Sequence, residues 1–407
     1  MTRSFPSVDD DTQLFDGQIL GALDARNDTR FVQVNEAPLT PYRFGGVTPS
    51  GNATDNTPAL AAMFAAAALS PNPEIYLPPG IWNSTGASAG NLPLSTALKV
   101  RGHGRTKSRL NLGNTDNPFF TWNAEIHGVE MSSLHISTAG GDIFSPGPKG
   151  GINASTFRNM FLNTQRAGKR IWFQDNTGSF IQMTFEDLEM QHLATAAVSP
   201  FHVRTQAGGA NFNLFKQVRV NGLNNALVPF FYFESSLPQT YLTDWVFMNI
   251  LGEQNPGGLI HALAPLNWTV INATDEDATV PYVGDLFRFM PNSAGLAPRD
   301  LTFIGSGRRG SSMDSSAYEF NVATSSQNVT LLNCNPTPVS QSTKASLPRT
   351  ATIIGGRGFP GSYQGQGSPE GVVTAAVGSM YSRSDGSAGS SIYIKESGTG
   401  ATGWTAK

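Results

Sequence analysis

The chain has little charge and a single cysteine. Only 14% of its 407 residues are charged, against about 25% in ordinary soluble domains. The net charge is −3 and no run of basic residues occurs, so the sequence predicts no binding to nucleic acid. Cys334 alone excludes an internal disulfide framework or a site of several thiolates. The 6 histidines show no zinc-binding spacing, so we predict no metal site and no cofactor.

Long apolar runs are also absent. The first residues, Met1 to Pro6, lack the apolar stretch of a signal peptide, and no segment approaches 18 consecutive apolar residues. We therefore expect a protein that is made in a cytoplasm, does not leave by the secretory route and does not insert into a membrane.

The residues that are plentiful favour strands and turns. Hydrophobic residues make up 39% of the chain, and 43 Gly and 26 Pro supply turns. One helix is predicted, from Thr57 to Leu69, where an alanine-rich run begins with Pro58 at the first helical position and Asn56 or Thr57 as the cap. We expect this helix to cover the open end of a longer structure.

A weak internal repeat consists of Asn, Asp or Gln, then an apolar residue, any residue and a second apolar residue. The copies are Ser133–Ile136, in which serine takes the polar place, Asn159–Leu162, Asp187–Met190, Gln217–Val220, Asp244–Phe247, Asn267–Val270, Asp300–Phe303 and Asn328–Leu331. Successive copies lie 23 to 33 residues apart, clustering near 28, and each alternates as a half-buried strand does. Glu74–Leu77, Ala97–Val100 and Thr350–Ile353 extend the series. The repeat predicts an all-β solenoid, a single-stranded parallel β-helix with about 28 residues per turn.

The predicted organisation has four parts. Residues 1–44 form a polar N-terminal segment, and residues 45–354 form the β-helix with its capping helix 57–69. Residues 355–371 form a Gly/Pro-rich linker, and residues 372–407 form a small strand-rich module. A hairpin is predicted in this module around Asp385-Gly386 and Gly389.

Two segments at the start of the predicted solenoid resemble the pectate-lyase-like β-helix superfamily. Asp55-Asn56-Thr57-Pro-Ala-Leu resembles its capping helix, and Ile75–Trp82 resembles its first coil. Leu98–Gly104, leading to Arg109-Leu110, resembles the next turn. The resemblance covers about residues 45 to 110 and implies a right-handed coil. It does not decide the chemistry, because the fold hosts lyases, hydrolases and binding shafts.

The C-terminal part, Gly378–Gly386 with Ser391–Gly400 and Gly403-Trp404, looks like the short ending of bacteriophage tail-fibre and tailspike chains. That resemblance implies a parallel homotrimer and a place in the virion, with the N-terminal segment attached to other tail or baseplate proteins. The module is expected to bury little by itself. We therefore predict contacts between chains at Tyr381, Tyr393 and Trp404.

The candidate catalytic residues are outward carboxylates. If Leu188 and Met190 point inward, Asp187 and Glu189 point outward with Cα atoms about 6.5–7 Å apart. The repeat places Asp244 two coils further on, roughly 9.6 Å along the axis. Hydrolysis of a glycan needs such a pair. The alternative is structural: the position of Asp187 is a bend in most copies, and Glu189 pairs with Arg219 of the next coil.

Other features are weaker. Glu234, Glu253 and Asp275–Asp277 fall in predicted loops, and the acidic triplet is interpreted as a solvated turn rather than a calcium site. The aromatic run Pro229–Phe233 is either an exposed surface for sugar stacking or, as we favour, part of the core or of a subunit contact.

The sequence therefore predicts a tail spike or tail fibre subunit that contacts the host surface, with polysaccharide as the expected partner. Two alternatives stay open. The chain is a polysaccharide depolymerase, a hydrolase or lyase on the same scaffold, although binding is favoured over catalysis. Or it is a purely structural virion component.

Overall fold

The computed structural model describes residues 38–46, 54–85, 89–193, 198–206, 208–222, 228–235, 241–276, 283–309, 318–334, 345–348, 350–354 and 361–407. The predicted N-terminal segment lies outside these ranges up to residue 37, and Asp277 and positions 355–360 of the predicted linker are also outside them.

Helix α1 spans Thr57–Ala68 and follows a 3-10 turn at Pro41–Phe44. Its N-cap is Asn56, one of the two predicted residues, although it makes no side-chain capping hydrogen bond. Instead, Oδ1 of Asp55 accepts hydrogen bonds from the main-chain N–H of Thr57 at 3.1 Å and its hydroxyl at 2.6 Å. Leu60, Met63 and Phe64 of α1 are fully buried in the solenoid core. The helix thus covers apolar core at the end where the coils begin, as predicted.

The described strands, numbered in chain order, form four sheets. The main sheet, of 21 strands, contains β1 (Glu74–Leu77), β2 (Gly80–Ser84), β4 (Lys99–Gly102), β5 (Ser108–Leu112), β7 (Ile126–His127), β8 (Glu130–Ser132), β9 (His135–Thr138), β10 (Ile152–Asn153), β11 (Thr156–Thr164), β13 (Phe180–Ile181), β14 (Thr184–His192), β16 (Ala210–Asn211), β17 (Leu214–Asn221), β19 (Leu242–Thr243), β20 (Val246–Glu253), β22 (Pro265–Ile271), β23 (Thr274–Glu276), β25 (Arg299–Ile304), β26 (Gly307–Arg309), β28 (Gln327–Leu332) and β30 (Thr352–Ile354).

The second sheet, of 7 strands, contains β12 (Trp172–Asn176), β15 (Phe201–Thr205), β18 (Phe231–Ser235), β21 (Ile260–Leu263), β24 (Phe287–Met290), β27 (Phe320–Val322) and β29 (Ala345–Ser346). A short pair joins β3 (Leu92–Pro93) to β6 (Phe120–Thr121). The C-terminal sheet contains β31 (Ser362–Gly365), β32 (Met380–Arg383), β33 (Ile392–Lys395) and β34 (Trp404–Ala406).

Parallel pairing in the main sheet confirms the solenoid, with about 28 residues per turn. One inward column can be followed from coil to coil along the axis. It runs through Ile75, Val100, Met131, Phe157, Phe185, Phe215, Phe247, Val270, Phe303, Leu331 and Ile353. The chain therefore folds as a right-handed parallel β-helix with one capping helix.

From Ala154 onward, each coil turns twice within the main sheet at residues in the left-handed region, with φ between 48° and 61°. The first corner is formed by Ala97, Ala154, Gln182, Phe212, Asp244, Asn267, Asp300 and Asn328. The second corner is formed by Ser133, Asn159, Asp187, Gln217, Asn249, Asn272, Gly305 and Asn333. Asn and Asp tolerate this conformation better than most residues do, which explains why they recur in the repeat.

The copies of the predicted repeat do not all lie on the same corner: those up to Gln217 lie on the second corner, and those from Asp244 onward lie on the first. Strand pairing aligns Lys216 with Met248 and Val218 with Ile250, so the equivalent of Gln217 is Asn249. Asp244 belongs to the first corner, beside Asn267. The sequence pattern could not separate the two corners, because both need the same backbone conformation and both are followed by a buried apolar residue.

The C-terminal module has its own small core. Strands β32 and β33 form the predicted antiparallel hairpin, and β31 pairs parallel to β32. Because β31 lies at 362–365, part of the predicted linker belongs to this sheet. In the described part of the chain, no helix is long and apolar enough to cross a membrane.

Candidate functional site

The predicted carboxylates Asp187 and Glu189 both face outward on β14, while Leu188 and Met190 are buried. The Asp187 carboxylate lies 3.9 Å from the Arg105 guanidinium. Glu189 accepts a hydrogen bond from the Gln191 side chain at 3.0 Å. The outward orientation is therefore as predicted, and each carboxylate has a polar neighbour.

The predicted partner of Asp187 is elsewhere. Asp244 lies on the first corner, where it accepts a hydrogen bond from the amide of Asn267. The residue two coils beyond Asp187 on the second corner is Asn249, which carries no charge. The predicted axial alignment of Asp187 with Asp244 was wrong for this reason. A catalytic role for Asp187, Glu189 or Asp244 stays a prediction.

Arg219 aligns with Glu189 of the preceding coil, as predicted, but its ion pair is with the following coil. Its guanidinium donates to both carboxylate oxygens of Glu253, at 2.7 and 2.9 Å. This hydrogen bonding raises the pKa of Arg219 above its usual value. Glu253, predicted to lie in a loop, thus ends strand β20 as part of an outward charged ladder.

A denser cluster lies on the outer face of the second sheet, where Asp175, Arg204 and Glu234 occupy one column on successive coils. The Arg204 guanidinium lies 3.7 Å from the carboxylate of Asp175 and 3.6 Å from that of Glu234. His202 and Tyr232 fill the neighbouring column, and their side chains contact Glu234 at 3.2 and 3.4 Å. Glu234 therefore lies in a strand and not in the predicted loop.

These contacts set the protonation states in the cluster. Burial raises the pKa of Tyr232 to about 12, and the adjacent Glu234 carboxylate adds to the rise, so the phenol stays a hydrogen-bond donor. Burial alone would raise the pKa of Glu234, but its hydrogen bond to His202 and the charges of His202 and Arg204 bring it below its usual value. Glu234 is thus an anion suited to the role of base or electrostatic stabiliser rather than that of acid.

A cleft of about 250 Å³ opens on the outer side of the main sheet, beyond the second corner. It is lined by Arg109, Asn111, Leu112, Ser137, Ala139 and Gln165. Strands β5 and β9 form its floor and pair in register, so Arg109 aligns with His135 and Asn111 with Ser137. The polar lining lies on regular strands of successive coils, which hold it rigidly.

Several polar atoms at this cleft are buried and have no hydrogen-bond partner within the described ranges. They are Nε of Arg109 and Oδ1 of Asn111, and Nε2 of His135, which aligns with Arg109 on the next coil, is buried and without a partner in the same way. Buried polar atoms are normally satisfied, so atoms left without a partner on a cleft are candidates for ligand binding. Burial lowers the pKa of His135 to about 4, and the nearby Arg109 adds to this effect, so the imidazole is neutral at pH 7.

Sequence reasoning missed the cleft, although one signal was available. Polar residues recur immediately after the apolar residue that points into the core, at Asn83, Asn111, Ser137 and Asn163. This column is joined along the axis, since Asn111 donates to Asn83 at 3.0 Å and Ser137 to Asn163 at 3.4 Å. Asn83, Ser137 and Asn163 are buried, so the column is a hydrogen-bonded polar ladder, and two of its members, Asn111 and Ser137, line the cleft.

The interpretation of Asp275–Asp277 as a solvated turn was wrong for its first residue. Asp275 lies in β23, fully buried, and aligns with the buried Arg308 of the next coil. Burial raises the pKa of Asp275 to about 7 against the opposing charge of Arg308. Among the described residues, no group of three or more His, Cys, Asp or Glu could hold a metal ion.

The aromatic run Pro229–Phe233 belongs to the core rather than to a sugar-stacking surface. Phe230, Phe231 and Phe233 are buried, and only Tyr232 faces outward. The C-terminal aromatics are also internal. Tyr381, Tyr393 and Trp404 pack together and are 4%, 8% and 7% exposed, so the expectation that this module buries little by itself was wrong.

The outer face of the main sheet before the second corner changes character along the axis. Its first coils carry charges such as Arg101, Arg158 and Glu186. From β20 onward one outward column is aliphatic, and we call it the aliphatic stripe. It consists of Met248, Ile271, Ile304, Leu332 and Ile354.

Comparisons with known proteins support the fold alone. No protein-family model matches the sequence, and no curated protein matches it. One solved structure of the surface adhesin PfbA of Streptococcus pneumoniae is 12% identical and superposes with a TM-score of 0.53, covering 81% of this chain and 93% of that one. A second PfbA structure gives 11% identity and a TM-score of 0.47, covering 91% and 98%. ORF18 of Geobacillus virus E2 gives 13% identity and 0.45, covering 82% and 64%. These similar structures are right-handed β-helix proteins.

Proposed function

We propose that the chain is a glycan-binding β-helix subunit of a bacteriophage tail spike or tail fibre. The observation that carries glycan binding is the lateral cleft, where Arg109 and Asn111 present buried polar atoms without partners among the described residues. Sugars are recognised by such fixed donors and acceptors at a rigid concave surface. The virion assignment rests on the resemblance of the C-terminal sequence to tail-spike endings. Attachment of residues 1–44 to other tail proteins belongs to the same proposal.

Binding to an array of purified bacterial surface polysaccharides tests the proposal. The variant Ala139→Trp, which fills the cleft, is expected to lose binding, whereas Lys149→Trp at an exposed loop position keeps it. Native-like thermal unfolding of both variants shows that the fold is intact. Retention of binding by Ala139→Trp would place the glycan elsewhere, and no binding by the native chain would favour a purely structural role.

A second candidate function is cleavage of the glycan. It is favoured by Asp175 and Glu234, which flank one guanidinium two coils apart, about 9.6 Å along the axis. Inverting glycosidases hold their carboxyl groups at a similar spacing of ~6.5–9.5 Å. Release of reducing ends from a bound polysaccharide tests this function. Loss of product in Glu234→Gln or Asp175→Asn would assign it to this face, and loss in Asp187→Asn or Asp244→Asn would assign it to the corners. Asp300→Asn on the first corner is the control.

We also propose that three copies associate side by side through the outer face of the main sheet that carries the aliphatic stripe. The face is as long as the stack of coils between Ile75 and Ile353. It offers a surface on the order of 700 Å² per chain, near the ~800 Å² that each partner of a stable interface buries. Copies of one chain share the same spacing between coils, so their side chains can interdigitate in register. On the C-terminal module, Met380 and Ile392 are 39% and 42% exposed and offer an apolar surface in place of the buried Tyr381.

A further inference from the structure

The cleft on the main sheet carries a positive charge that no described residue neutralises. The guanidinium of Arg109 makes no ion pair and no hydrogen bond with the part of the chain that the structure describes, and its Nε is buried. Its neighbours along the axis, Ile81 and His135, provide no negative charge, and burial keeps His135 neutral at pH 7. None of the lining residues is acidic. An arginine held in this way is a binding group for an anion.

The remaining polar atoms at the cleft suit a sugar rather than a bare ion. Oδ1 of Asn111 has no donor among the described residues, and an inorganic anion could not supply one as a sugar hydroxyl does. Gln165 and Ser137 add amide and hydroxyl groups at the rim, although their mutual hydrogen bond is long, at 3.4 Å. Leu112 provides an apolar contact of the kind that a pyranose ring needs.

An ion-pair network next to Gln165, outside the lining of the cleft, joins neighbouring coils. The Arg166 guanidinium donates to the main-chain carbonyl of Thr115 at 3.2 Å and pairs with Asp116 at 2.9 Å, and Lys169 lies 3.4 Å from the same carboxylate. Lys169 also interacts with the carboxylate of Asp142, so the cations of this network have carboxylate partners of their own. The preference of the cleft for an anion therefore rests on Arg109.

We propose that this cleft is a subsite for an acidic sugar, in which Arg109 binds the carboxylate of a uronic acid unit and Asn111 accepts a hydrogen bond from one of its hydroxyl groups. The inference rests on the proposed glycan binding and names its ligand class. A volume of about 250 Å³ lies near the lower end of ligand pockets, so one sugar unit fills it.

The test uses the full chain and pairs of oligosaccharides that differ only in the carboxyl group. Tetrasaccharides from alginate, polygalacturonate and hyaluronan are each compared with their carboxyl-reduced forms by isothermal titration calorimetry. The native chain is expected to bind at least one acidic form about tenfold or more tightly than its reduced form, because a hydrogen bond to a charged group contributes binding free energy of that size. Arg109→Gln is expected to abolish the difference, and Arg109→Lys to keep part of it.

The matched control is Arg299→Gln, which removes an exposed arginine that donates to Gln327 directly before the first corner. It is expected to leave the preference for the acidic form unchanged. Equal binding of acidic and reduced forms by the native chain would overturn the acidic subsite while leaving glycan binding in place. A preference that survives in Arg109→Gln would also overturn it. Absence of binding to these sugars and to every polysaccharide of the array would overturn both proposals.

Discussion

At the scale of single residues, the solenoid keeps a histidine neutral next to charged groups. His261 on β21 is buried, and its Nε2 donates a hydrogen bond to the main-chain carbonyl of Asp285 at 2.8 Å. Burial lowers its pKa from 6.5 to about 4, with a further lowering by Arg288 and Arg308 and an opposing effect of Asp285. The unfolded chain therefore takes up a proton at this residue at a higher pH than the folded chain does.

This difference predicts a loss of stability on acidification. The contribution of His261 is fully present above its unfolded pKa of 6.5 and is lost as the pH falls toward 4. Between pH 7 and pH 5 it lowers the free energy of unfolding by about 2 kcal/mol. Urea unfolding at both values measures the loss, and His261→Gln, which can still donate to the carbonyl, is expected to reduce it. An equal loss in His261→Gln would show that other groups control the pH dependence.

The left-handed corners predict a second effect of single residues. Asn249 has a φ of 55° on the second corner, where its side chain accepts a hydrogen bond from Asn272 at 3.2 Å. Asn249→Val is expected to cost at least on the order of 1–2 kcal/mol, because a β-branched residue is strained in this conformation. Asn249→Gly is expected to cost less. Chemical denaturation compares the two, with Thr302→Val at an extended outward position as the control, and equal costs for valine and glycine would contradict the explanation.

At the scale of the elements, stacked phenylalanines join neighbouring coils. The rings of Phe185, Phe215 and Phe247 lie on one inward column with centroids 4.6 and 4.9 Å apart in nearly parallel planes. Phe201 and Phe231 of the second sheet contact Phe215 edge-on, each at 5.4 Å. The core of each coil is thus continuous with that of the next, as expected when a repeat cannot bury its apolar face alone.

Truncation of a central ring tests this continuity. Phe215→Ala is expected to destabilise the solenoid by about 3–5 kcal/mol, because it leaves a cavity that rigid coils cannot close. Thermal unfolding followed by circular dichroism measures the change. Phe212, three residues earlier and 58% exposed, provides the matched control, since Phe212→Ala removes the same ring from the surface. A similar destabilisation by both variants would argue against the role of the stack.

The sequence predicted the elements better than their register. Spacing near 28 and alternation identified the coils, and the alanine-rich run identified α1, because these signals are local. Asp244 could not be placed, because its corner and that of Asp187 have the same sequence signature. The cleft at Arg109 could not be predicted either, since it depends on which coils lie side by side. Tyr381 was expected at a contact between chains, but alternation alone does not tell which face of a small sheet is covered.

At the scale of the whole molecule, the outward face that carries the aliphatic stripe is divided along the axis. Its early coils carry both signs of charge, and its late coils carry the half-buried Ile271, Ile304 and Leu332 next to threonines such as Thr302 and Thr330. A row of aliphatic side chains on a flat sheet is typical of a covered surface. The second sheet instead carries its charged cluster outward. Association through the aliphatic stripe would leave that cluster and the cleft of Arg109 free for glycan.

The proposed trimer leads to the final prediction. Ile304→Asp places a charge at the middle of the aliphatic stripe and is expected to convert trimers into monomers, because an unpaired charge at the centre of an apolar contact is costly. Sedimentation velocity of the full chain measures the change in mass. Leu263→Asp makes the same substitution on the outward side of the second sheet and is expected to keep the trimer. Monomers of the native chain at micromolar concentration would exclude the trimer. Trimers that persist in Ile304→Asp but dissociate in Leu263→Asp would move the contact to the second sheet.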